Sequence, residues 1–144
     1  MDADTLAKAV AQGFLAREGT GPAWGIEVEE AREGYARIAM IVRADMLNGH
    51  DMAHGGMIFA LADTAFAYAC NSRNVRTVAQ QASIVFVSAA RHGERLVAEA
   101  VEAVVEGRTG VYEVTVRSGA RVVATFQGLS RAIGGATLDL GEQP

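Results

Sequence analysis

The chain holds one cysteine, Cys70, in 144 residues, so no intrachain disulfide can brace it. That usage suits a reducing compartment. It has no run of about 20 apolar residues, the length that spans a bilayer as a helix. Its most apolar stretch, Gly55 to Cys70, is shorter and carries Asp63 near its centre. No secretory leader is expected either: Met1-Asp2-Ala3-Asp4 is acidic where a leader is basic, and no apolar segment follows. The expectation is a soluble cytoplasmic protein without a membrane partner. Cationic charge is also short, with 13 Lys and Arg against 17 Asp and Glu and a net charge of −4. A nucleic-acid surface needs a concentrated basic field, so that class is set aside. A small phosphate-bearing ligand needs just one or two placed arginines and stays open.

Several chemical signatures are absent as well. Neither the Gly-x-x-x-x-Gly-Lys nor the Gly-x-Gly-x-x-Gly phosphate loop occurs, and there is no Gly-x-Ser-x-Gly nucleophile elbow. His50 and His54 have i, i+4 spacing with Asp51 between them, but no second group of ligands completes a metal set. Neither a metal nor another cofactor is expected. Cys70 ends an apolar stretch with no base nearby, which reads as an inert buried thiol.

What is present has a clear order. Half the residues are hydrophobic and 21% are charged, the balance of one globular domain, expected to span 1–144. Leu6, Val10, Phe14 and Leu15 recur at helical spacing, and Gly19-Thr20-Gly21-Pro22 stops the pattern, predicting an N-terminal helix within residues 1–20. Ile26 to Arg32 alternates as a strand, Glu33-Gly34 marks a turn, and Tyr35 to Val42 returns as its hairpin partner. A central helix is expected over about 55–71. Its residues are apolar on every side, so it must be wrapped by other elements. β-rich runs follow at Val75 to Val87, Arg95 to Val105, and Val111 to Arg131 with a break at Ser118-Gly119. Strands cluster instead of alternating with helices, so the class is α+β with a curved, mainly antiparallel sheet around one long buried helix.

Two features of the central helix could carry chemistry. His54-Gly55-Gly56 opens it, where the first N–H groups have no intrahelical partner and the dipole is positive. Without a β-carbon, Gly55 and Gly56 let a ligand oxygen approach, as an oxyanion hole requires. The plainer reading is a helix start against a crowded neighbour. Asp63 is an acid in an apolar helix, costly unless it is paired, hydrogen-bonded or functional. Gly55 and Asp63 are about 12 Å apart at roughly 1.5 Å per helical residue. They cannot both touch one thioester carbon, which needs contacts of about 3 Å. If both act, they come from different subunits of an isologous dimer.

The run Asp45-Met46-Leu47-Asn48-Gly49-His50, then His54 through Asn71, then Arg108-Thr109-Gly110-Val111-Tyr112 and Ile133-Gly134-Gly135 resembles the hotdog-fold phenylacetyl-CoA thioesterases of phenylacetate degradation. The resemblance covers most of the chain from about residue 20. It implies that Asp63 is nucleophile or general base and that Gly55 of the neighbouring subunit polarises the thioester carbonyl. Asn48, His54 and Gly56 shape that pocket, and Thr64 helps place water. It further implies hydrolysis of aryl- or acyl-coenzyme A, phenylacetyl or hydroxyphenylacetyl among them, by a homodimer paired into a tetramer. Where family members often carry a basic residue and a proline, this chain has Ser88-Ala89-Ala90-Arg91, which makes Ser88 and Arg91 the candidate coenzyme A contacts. Two rivals are a hotdog hydratase or dehydratase, for which His54 is poorly placed, and a non-catalytic acyl-CoA-binding module, which has no use for a buried Asp63.

Overall fold

The structure, a computed structural model, describes residues 1–140. The last four residues of the expected 1–144 domain lie outside the described residues. Helix α1 (Ala3–Arg17) starts where the Asp2 carboxylate accepts the Thr5 N–H at 2.8 Å, an N-cap that satisfies one orphan donor. It buries Ala7, Val10 and Ala11. Beyond Glu18 the expected stop is instead a second short helix, α2 (Thr20–Trp24). Pro22 sits in its first turn, where a missing N–H costs nothing. Gly25, at φ 66°, then closes it by donating to the carbonyls of Gly21 and Pro22.

Strands β1 (Glu27–Arg32) and β2 (Tyr35–Ile41) form the expected hairpin around Gly34, whose φ is 71°. Helix α3 (Gly55–Cys70) follows, and then β3 (Val75–Phe86), β4 (Arg95–Glu106), β5 (Thr109–Ser118) and β6 (Arg121–Ala136). All six strands join one sheet in the order β1-β2-β4-β5-β6-β3, every neighbouring pair antiparallel. The chain therefore leaves the β1-β2 edge, runs through α3, and lays β3 on the opposite edge.

Helix α3 packs on β2, β3, β4, β5 and β6, the wrapped-helix arrangement its apolar composition demands. Leu61, Ala62, Ala65, Phe66 and Ala69 are buried against Ile38, Leu96, Ala98, Val114 and Phe126. Phe66 lies between Tyr112 and Phe126, with ring centroids 5.5 and 5.9 Å away. Gly128 makes this possible, since a β-carbon there would sit 2.7 Å from the Phe66 ring. At the far end of α3, Arg73 bonds Glu33 and Glu102, tying the first hairpin to β4.

The sheet does not enclose the helix completely. Gly56 is exposed and Phe59, Ala60, Asp63, Thr64 and Ala67 are half-buried, forming one open stripe at helical spacing. Beside it, β3 is an edge strand with Val75, Val78, Val85 and Phe86 exposed. A long apolar edge is a template for pairing with another strand. The composition of α3 fits this: apolar residues point where the single chain supplies no cover.

Candidate active site

The head of α3 is built by local hydrogen bonds. The Asn48 Oδ1 accepts the N–H groups of His50 at 2.9 Å and Met52 at 3.2 Å. Those donors fix which way the carboxamide points, and among the described residues its NH2 has no acceptor. His54 is the N-cap: its backbone is extended, and its Nδ1 accepts the Gly56 N–H at 2.8 Å. Accepting there requires a neutral imidazole with its proton on Nε2. The His54 carbonyl takes the N–H groups of Met57 and Ile58. Among the described residues this leaves Gly55 as the first-turn donor with no partner. Gly55 and Asn48 line a cavity of about 350 Å³ with Met52, Ile58, Phe86 and Ser88. A donor of this kind at a helix start, where the dipole is positive, suits a carbonyl oxygen gaining negative charge.

Asp63 lies two turns along the open stripe. It is half-buried, and loss of water raises its pKa above the ordinary carboxylate value of 3.8. Among the described residues no hydrogen bond or ion pair holds it, so it is not a carboxylate tied down by a backbone group or an arginine. It is a more basic acid than a free aspartate, with its oxygens unspent. Thr64 beside it donates its hydroxyl to the Ala60 carbonyl at 2.7 Å, which leaves the hydroxyl lone pairs free to accept. Cys70 is buried, and that burial, with Asp63 nearby, pushes its thiol up to about 12. Such a thiol carries almost no thiolate at neutral pH and is inert.

The remaining expected positions divide. The Ser88 hydroxyl is engaged internally, donating to the Val122 carbonyl at 2.7 Å and accepting from Arg121 at 3.2 Å. Arg91 is exposed in the loop just beyond. Phe86, which the sequence did not single out, covers the helix start: a β-carbon on Gly55 would lie 3.0 Å from its Cζ. Phe66 and Tyr68 are core, Tyr68 donating to the Glu18 carboxylate and stacking on Phe14. Among the described residues no three His, Cys, Asp or Glu side chains converge on a metal-sized space. No helix among them is long and apolar enough to cross a membrane.

An antiparallel sheet curved around one apolar helix is the hotdog fold. Comparison with known proteins agrees. Residues 50–125 match the family model of the Thioesterase superfamily, and the chain belongs to that superfamily. It is similar to the acyl-coenzyme A thioesterase PaaI of Escherichia coli, 41% identical over 126 residues that make up 87% of this chain and 90% of that protein. The solved E. coli PaaI structure superposes with a TM-score of 0.91 at 38% identity, covering 94% of this chain and 99% of that one. The TT0310 protein of Thermus thermophilus superposes with a TM-score of 0.79 at 39% identity, over 81% of this chain and 99% of that one.

Proposed function

We propose that the protein hydrolyses aryl- and acyl-coenzyme A thioesters, phenylacetyl and hydroxyphenylacetyl among them, to the free acid and coenzyme A. In this reading the thioester carbonyl lies in the cavity at the head of α3 and accepts from the Gly55 N–H and the Asn48 carboxamide. Asp63 of a second copy faces the carbonyl carbon and either attacks it or takes a proton from an attacking water, with Thr64 beside it accepting from that water. The tetrahedral oxyanion draws on the Gly55 donor and the helix dipole. Collapse expels the coenzyme A thiolate, a good leaving group that needs little help from an acid; on the water route this gives the free acid at once, and on the direct route it leaves an acyl anhydride on Asp63 that a water then hydrolyses to the free acid and the restored carboxylate. The protein's residues account for these steps without a further cofactor.

The observation that carries the reading is the state of Gly55. His54 uses its ring and its carbonyl to occupy the other first-turn donors, so one N–H stands open to the cavity. The Asp63 of the same helix is too far away to share its substrate. The open stripe on α3 and the bare β3 edge are where a second copy would bring its own Asp63 alongside. Thiol release from phenylacetyl-CoA by the wild type and Asp63→Asn tests this. Turnover by the first and not the second supports it; equal turnover by both overturns the assigned role of Asp63. Tight binding without turnover by either protein would identify an acyl-CoA-binding module.

A further inference from the structure

The open stripe of α3 is built from small or polar residues with one exception. Gly56, Ala60, Asp63, Thr64 and Ala67 leave room for a second helix to come close, whereas Phe59 puts a phenyl ring there. Phe59 and Asp63 are i, i+4 neighbours, so their side chains stand one above the other on the same row of the helix. The ring is held from behind. Phe126 of β6, itself buried, meets it at 5.4 Å between centroids with the ring planes at 65°, a favoured edge-to-face arrangement. The core therefore fixes one side of Phe59. Its other side stays half-open in the single chain, as the Asp63 carboxylate one turn further on does.

Twofold symmetry fixes where this ring lies between two copies. If the partner's Gly55 stands against Asp63, the two helices run antiparallel and pass the axis midway between those positions, at Phe59 of each chain. Each reacting centre is then four residues from the axis, about 6 Å along the helix, and the two centres are about 12 Å apart in that direction. Both Phe59 rings lie between them. The two arms of a thioester leave its carbonyl carbon in opposing directions. The coenzyme A arm is much longer than the gap between the centres and has to reach solvent, so it leaves away from the axis. The acyl arm then points toward it. At bonds of roughly 1.5 Å, a phenylacetyl group reaches about 5 Å from its carbonyl carbon and an extended octanoyl group about 9 Å. The first stays within its own half, while the second crosses the axis into the space of the other substrate.

We propose that Phe59 of the two chains forms an aromatic partition on the twofold axis, against which the acyl end of each thioester packs, and which limits that end to about the length of phenylacetyl. This rests on the shared-centre reading above. Between Asp63 and the axis the open stripe offers Ala60 and Phe59, with no polar side chain, so the acyl group it takes is apolar. An aryl ring gains a tilted or edge contact with Phe59 that an alkyl chain lacks.

The test reads kcat/KM for acetyl-, phenylacetyl- and octanoyl-CoA as ratios, because loss of folded dimer lowers all three by one factor and leaves the ratios alone. The wild type should favour phenylacetyl over octanoyl. Phe59→Ala opens the partition and should raise octanoyl relative to phenylacetyl at least about tenfold, the discrimination that a methylene or more makes in an apolar pocket. Phe59→Leu, a milder loss of packing, should shift the ratio the same way by less. Phe59→Trp enlarges the partition and should lower phenylacetyl relative to acetyl by a similar factor. A wild type that favours octanoyl, an octanoyl-to-phenylacetyl ratio unmoved by Phe59→Ala, or a phenylacetyl-to-acetyl ratio unmoved by Phe59→Trp overturns the partition. A wild type that cleaves no ester overturns the hydrolase reading instead. Calorimetric affinities of the S-(2-phenylethyl) and S-octyl thioethers of coenzyme A then decide the partition without catalysis: Phe59→Ala should shift their ratio toward the octyl compound, and an unmoved ratio overturns it.

Discussion

Replacing Gly55 by proline isolates the donor on which the chemistry depends. Proline has no N–H, and in a helix interior its loss would cost about 3 kcal/mol. Gly55 is the first residue of α3, however, and its N–H bonds nothing within the described chain, so that penalty does not arise here. The preceding residue, His54, already has φ −61° and ψ 134°, the extended geometry that a following proline requires. One steric cost remains, because a β-carbon would lie 3.0 Å from Phe86 Cζ. That ring is 51% exposed in the single chain and can swing aside. Gly55→Ala carries the same β-carbon and keeps the N–H, so the pair of variants separates crowding from the lost donor. Losing one oxyanion donor costs about 2.7–4 kcal/mol, or 10²–10³ in kcat. Gly55→Pro should therefore fall by that factor below Gly55→Ala in thiol release, while both melt close to the wild type. Equal kcat for the two variants would refute the donor role.

Asp63→Asn should abolish turnover and raise the melting temperature at neutral pH. Burial raises the folded-state pKa of Asp63 above 3.8, so folding favours its protonated form and the ionised form is a penalty as pH rises through that pKa. The stability gain from asparagine should shrink as pH falls through the same value, while wild-type kcat/KM declines because the base is being protonated. A gain independent of pH between 3 and 8 would contradict this. His54→Ala should lose about 1 kcal/mol through the missing N-cap, and His54→Asn, a good cap, should recover most of it; thermal unfolding of the two measures the difference. Gly128→Ala drives a β-carbon to within 2.7 Å of the buried Phe66 ring and should cost about 1–3 kcal/mol by overpacking, read from urea unfolding.

Much of this architecture could be read from local patterns. The run from Gly55 to Cys70 is too apolar to be anything but wrapped, and Glu33-Gly34 and Ser118-Gly119 sit at real turns. Asp63 stood out as an acid in an apolar helix with Thr64 its only polar neighbour for several residues, and among the described residues the fold leaves it unpaired. Helix α2 was hidden because Gly19, Gly21 and Pro22 all read as breakers, yet proline is welcome in a first turn and a buried glycine admits Leu15 and Glu18 closely. The crossing of β3 to the far edge is non-local, and no spacing along the chain encodes it. The same holds for Phe86, which reaches Gly55 only through that crossing. His54 was legible as a residue of interest, but its use of Nδ1 as a cap depends on a ring orientation set by folding. Which stripe of α3 the single chain leaves open was not legible, since Phe59, Ala60 and Ala67 on it are as apolar as the buried residues beside them.

Mixing two inactive variants asks whether one reacting centre draws on two chains. Gly55→Pro and Asp63→Asn chains, unfolded together and refolded, should form hybrids in which one centre has both an intact Gly55 and an intact Asp63. With random pairing, half the dimers are hybrids carrying one intact centre of two, so about a quarter of wild-type thiol release should return. No recovery from the mixture, with hybrids present by native mass spectrometry, would contradict a centre shared between subunits.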